Sequence, residues 1–158
     1  MSDSTTAATS PTTSVSSRVV LLTRLGWIWA GVAVALGAFG AHGLASRLPE
    51  WYPDESLAMR RADNWETAVS YQLVHALGAL AIGLWLLGQR RASRRAEWGG
   101  WSLLVGNAVF SGCLYALVLT DVRILGAIVP LGGVVQLLGW FLIAATPFGS
   151  SAPCESSK

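Results

Sequence analysis

The sequence predicts an all-α integral membrane protein, a bundle of four transmembrane helices. Three observations predict it. Four apolar runs each reach about 20 residues, the length a helix needs to cross roughly 30 Å of hydrocarbon. Only 13% of the 158 residues are charged and 53% are hydrophobic, whereas a soluble domain carries about a quarter charged residues to clothe its surface. No Asp, Glu, Lys or Arg falls near the middle of any run.

Residues 1–23 open with serine and threonine, show no apolar period, and read as a disordered cytoplasmic tail and juxtamembrane segment. An organelle transit peptide is the alternative; arginine occurs there only at Arg18, with Arg24 just beyond, which is sparse for one. The transmembrane domain covers residues 24–145, with spans at about 25–44, 69–88, 101–119 and 124–143. Residues 146–158 read as a flexible C-terminal tail. The links differ. The first is long and acidic, and Asp54 after Pro53 is placed to cap a helix through "ESLAMRRADNWETA". That helix either extends the second span or lies at the interface. "QRRASRRAE" forms the second link and "TDVR" the third. Cys113 and Cys154 make neither a disulfide framework nor a CxxC metal site.

Arginine placement orients the bundle. Seven of the eleven basic residues fall with the N-terminus, second link and C-terminus; the other four lie on the opposite side with six of the nine acids. Both termini are therefore expected to be cytoplasmic in a multi-pass plasma-membrane protein. The net charge of +2 is too small to suggest nucleic acid, so the expected partners are the lipid bilayer and a homo-oligomer or other membrane protein.

Because the spans lack ionisable residues at mid-depth, ion-coupled transport is disfavoured. The neutral polar groups carry what remains. On the first helix Gly31, Ala35, Ala38 and His42 form one stripe, and Ala33, Gly37 and Ala41 repeat small-xxx-small on another face. On the second, Asn64, Ala68, Tyr71 and His75 share a stripe with Gln72 beside it. Counted at 1.5 Å per residue, His42 lies about 12 Å outward of the midplane, level with Tyr71 and Gln72, and His75 about 5 Å outward. A hydrogen bond from His42 to Tyr71 or Gln72 would satisfy groups that lipid cannot. His42 is thus read as a polar anchor between two helices, against the sharper reading of a ligand or proton-handling group. Ser111 and Tyr115 lie on the third helix in line with Asn107, which is level with Gln136 on the fourth and expected to pair with it as an interhelical amide bond.

"AFGAHGL" (38–44), "ETAVSYQLVHAL" (66–77), "SGCLYAL" (111–117) and "LGAIVPLGG" (125–133) together resemble the small membrane family catalogued as domain of unknown function 423. Its members include bacterial inner-membrane proteins and the animal transmembrane protein 256. The resemblance covers roughly residues 24–145. Matching positions include His42, Glu66, Tyr71, Gln72, His75, Ser111, Tyr115 and Pro130, with the glycines Gly37, Gly40, Gly43, Gly132 and Gly133 expected to pack helices. It implies a four-span bundle in a bacterial inner membrane and no reaction.

The functional expectation is a non-enzymatic packing, interaction or oligomer-forming membrane protein with no cofactor, no catalytic residue and no metal site. One alternative is a facilitator or channel for a small solute, with His42, Tyr71, Gln72, His75, Ser111 and Tyr115 around an outward polar pocket. The other is a protein that holds haem or a metal through His42 and His75; the depth difference of about 7 Å and the shortage of further ligands count against it.

Overall fold

The computed structural model describes residues 16–89 and 91–147. The serine/threonine-rich stretch before them and the segment from 148 onward, including Cys154, lie outside the described residues. What is described is helical, with no strand among the described residues. Four helices are long and apolar enough to cross a membrane.

Helix α1 (Ser17–Phe39) runs on into a five-residue π-helical turn, Gly40–Leu44, in which the Ala45 N–H reaches the Gly40 carbonyl at 3.2 Å. The Trp65 indole lies against this turn. A Cβ on Gly40 would stand 2.6 Å from its ring, and Trp65 Nε1 donates to the Leu36 carbonyl at 2.9 Å. A side chain pressed into a helix ladder is a recognised cause of such local unwinding. A short helix α2 (Leu48–Trp51) follows, with Pro49 in its first turn, where a missing N–H costs nothing.

Helix α3 (Glu55–Leu87) is one continuous element of 33 residues. Asp54 caps it by accepting from the Ser56 and Leu57 amides at 2.9 and 3.3 Å. At about 50 Å it exceeds the roughly 30 Å of hydrocarbon, so its first turns project beyond the apolar layer. Of the two readings of the first link, the extended second span is the one observed. Helix α4 (Arg94–Thr120) ends at Asp121, whose φ of 53° is left-handed and lets the chain reverse into α5 (Ile124–Ala144) at once.

The helices pack as a row: α1 on α3, α3 on α4, α4 on α5, with α1 reaching α4 through Arg18, beside Glu97 and Trp98, and through Leu22, beside Gly100. Two apolar clusters close the ends. Val19, Leu22, Ala79, Ile82, Leu86, Ala96, Leu103 and Leu104 fill the end bearing both described termini; Leu44, Leu48, Tyr52, Trp65 and Val118 fill the end bearing the first link. Helix α5 buries little beyond Gly132, Gln136 and Gly139. Its outer face stays open, with Leu131 63% and Phe141 70% exposed, as suits a side chain solvated by lipid.

Backbones approach most closely between α4 and α5. A Cβ on Gly132 would meet the Gly106 carbonyl at 2.7 Å and the Phe110 amide nitrogen at 2.5 Å, and one on Gly139 the Gly99 carbonyl at 2.9 Å. Gly26 and Gly83 serve α1 and α3 in the same way, facing Leu80 and Thr23. Of the glycines expected to pack helices, Gly37, Gly40 and Gly132 face a neighbouring helix tightly. Gly43 faces only Phe39 of its own chain segment, and Gly133 has ordinary clearance to Phe110.

Candidate functional site

The in-membrane polar residues divide into two groups that the sequence does not separate. The first is a seam between α1, α3 and α4, centred on Gln72. Its Nε2 donates to the Trp29 carbonyl of α1 at 3.0 Å, and its Oε1 accepts from the Tyr115 hydroxyl of α4 at 2.9 Å. Asn107, fully buried, donates to the Gln72 carbonyl at 3.1 Å. The Ser111 hydroxyl lies 2.9 Å from both the Ala68 carbonyl and Asn107 Oδ1, so its single proton serves two acceptors. Each donor ends on a carbonyl or an amide inside the bundle. In a medium that offers no hydrogen bonds, such closure is what allows these groups to be buried at all.

The second group lies on the other side of α3. Tyr71, His75, Phe110 and Trp140 form a row of rings: Phe110 and Tyr71 are stacked with centroids 4.5 Å apart, Tyr71 and His75 at 5.5 Å, and His75 and Trp140 are tilted at 6.0 Å. His75 Nδ1 lies 2.7 Å from the Tyr71 carbonyl. A carbonyl only accepts, so Nδ1 carries the proton and Nε2 is left as acceptor in the neutral ring. These rings border a lateral cleft of about 680 Å³ between α3, α4 and α5, lined also by Pro130, Gly133 and Gln136. Gln136 is 2% exposed, and its Nε2 has no hydrogen-bond partner among the described residues.

Two expected contacts do not form. His42 is exposed on the π-helical turn and makes no hydrogen bond to Tyr71 or Gln72. Asn107 turns to Gln72 and Ser111, which leaves Gln136 out of the amide pair. Among the described residues, no group of three or more His, Cys, Asp or Glu is placed to hold a metal ion.

Sequence reasoning passed over a third constellation, at the first-link end. Arg61, 7% exposed, pairs with Asp121 at the α4–α5 reversal and lies over the Tyr52 ring, 5.5 Å from its centroid. The Tyr52 hydroxyl donates to the Val118 carbonyl at 2.9 Å. The partners are 60 and 66 residues apart in sequence, and no local pattern links them.

The sequence pattern of a protein family of unknown function, DUF423, matches residues 36–133. The chain belongs to this family. It is 46% identical over 119 residues to a UPF0382 membrane protein of Staphylococcus epidermidis, covering 75% of this chain and 88% of that one. It is 44% identical over 124 residues to its counterpart in Staphylococcus saprophyticus, covering 78% and 93%. The UPF0382 membrane protein YwdK of Bacillus subtilis is 40% identical over 119 residues, covering 75% and 89%. No solved structure matches. The DUF423 match takes in the π-helical turn, the α3 and α4 side chains of the Gln72 seam and the Tyr71–His75 pair; it begins after Trp29 and stops at Gly133, before Gln136 and Trp140.

Proposed function

We propose that this DUF423 protein is a non-enzymatic, multi-pass protein of the bacterial plasma membrane that works by association, docking a second copy of itself along the open face of α1. The carrying observation is the stripe Gly31, Ala35, Ala38 and His42, exposed throughout; a Cβ on Gly31 would meet nothing within 4 Å. Small residues at helical spacing let two helix backbones approach closely in lipid, where packing rather than hydrophobicity drives association. Symmetric pairing of one stripe with itself needs no second complementary surface. The facilitator reading fits less well, since the Gln72 seam spends its donors on carbonyls inside the bundle. Both termini on the cytoplasmic side is supported by the seven-to-four split of basic residues.

Native mass spectrometry of the full chain released from nanodiscs tests the association. A dimer is expected, reduced to a monomer of unchanged melting midpoint by Ala35→Leu. A wild-type monomer at micromolar concentration, or a dimer indifferent to Ala35→Leu, sinks the reading. Orientation is checked by cysteines placed singly at Ser46 and Ala92 in a cysteine-free background. In intact cells an impermeant maleimide should label the first and spare the second.

A further inference from the structure

We infer that the lateral cleft is a binding site for a neutral, lipid-soluble ring compound bearing carbonyl or hydroxyl oxygens, the chemistry of a quinone or its quinol. This site is separate from the α1 face. The volume of about 680 Å³ lies within the range of small-molecule sites. The cleft opens between helices toward the bilayer, so its ligand arrives through lipid. No Asp, Glu, Lys or Arg is among the described residues lining it, so a charged headgroup would meet no counter-ion there. Phe110, Tyr71 and Trp140 offer flat walls that favour a planar ring.

Polar groups remain unspent in this apolar setting, Gln136 and His75 among them. Gln136 has a buried Nε2 with no partner among the described residues, although an unmet amide is costly at such a place. By turning about its terminal bond the amide presents either N–H to a carbonyl or oxygen to a hydroxyl. His75, fixed by its Nδ1 bond to the Tyr71 carbonyl, keeps Nε2 as an acceptor. One adaptable amide and one acceptor beside aromatic walls match a ring that carries oxygens, and a plain acyl chain would leave both unmet. The seam groups that could compete for Gln136 are already engaged with one another.

The test titrates decylubiquinone into nanodiscs holding the full chain and follows tryptophan quenching, with two variants as controls. Gly133→Leu puts a side chain where Gly133 lines the cleft, and its Cβ meets only the Phe110 ring at 3.8 Å, ordinary contact. Gln136→Leu removes the amide at similar volume. Quinone that merely partitions into lipid quenches all three proteins alike. A saturable component is expected in the wild type, its dissociation constant raised at least tenfold by Gln136→Leu and the component lost in Gly133→Leu, with unchanged melting midpoints. Absence of saturation overturns the proposal, as does a component retained in Gly133→Leu or indifferent to Gln136→Leu. Equal displacement by oleyl alcohol, which has a hydroxyl and a chain but no ring, overturns the ring chemistry.

Discussion

Gln72 and His42 carry opposite weights from those their sequence settings suggest. Gln72 uses both ends of its amide and its own carbonyl to bind α1 and α4. Gln72→Leu strands the buried part of the Tyr115 hydroxyl, and the loss should be about 1–3 kcal/mol of stability. His42→Ala removes an exposed ring with no hydrogen bond and should change stability by less than about 0.5 kcal/mol. Thermal unfolding in one detergent compares them, and equal losses would contradict the assignment. Asp54 acts outside the membrane span. Its hydroxyl bond from Ser56, then the Leu57 amide, holds its carboxyl below the ordinary value of 3.8. A depressed carboxyl stabilises the fold above its unfolded value, and that contribution fades as pH falls through the folded value. The protection of the Ser56 and Leu57 amides, their exchange rates taken relative to the intrinsic rate at each pH, should therefore fall on acidification below about pH 4, the ordinary carboxylate range. Asp54→Asn, which keeps a cap without a titrating group, should remove the dependence.

Helices α4 and α5 are held by shape more than by polar bonds. Gly99 and Gly106 on one, Gly132 and Gly139 on the other, are each seven residues apart and meet crosswise, Gly99 with Gly139 and Gly106 with Gly132. A methyl at Gly132 would collide with backbone atoms that cannot swing aside, so Gly132→Ala should cost about 1–3 kcal/mol as overpacking does. Gly133→Ala, one residue on, should be tolerated; a melting experiment showing equal damage would refute this account of the contact. The same helix pair is pinned at its turn by Arg61. Arg61→Met frees Asp121 from its partner and removes a tether on the already exposed reversal, and limited proteolysis should then cut within residues 120–124 faster than in the wild type. Unaltered cutting would show that the left-handed Asp121 turn holds without the ion pair.

At the scale of the molecule the row of helices leaves the outer faces of α1 and α5 to lipid or to a partner. A soluble fold could not expose Leu131, Val134, Leu137, Leu138 and Phe141 on one helix without aggregating. The open row is also why a cleft exists at all: with α5 packed on α4 beside α3, the α3–α5 side stays unfilled near His75 and Gln136.

Length and apolarity alone marked the four spanning helices, because a continuous apolar segment of about 20 residues satisfies its own backbone in hydrocarbon only along a helix. Helical spacing found the stripes, and the Asp54 cap was legible because its acceptor and donors are neighbours in sequence. Depth counting put Tyr71 and Gln72 at one level but gave no rotation about the helix axis. It could not tell that Gln72 faces α1 and α4 while the Tyr71 ring turns to Phe110. The same ignorance of rotation joined Asn107 to Gln136 and His42 to α3. Spacing within a helix is a local property; which face meets which neighbour is settled by glycine contacts and ring packing between residues dozens of positions apart. The helices were written in the sequence, and their rotation and partners were decided only by packing in three dimensions.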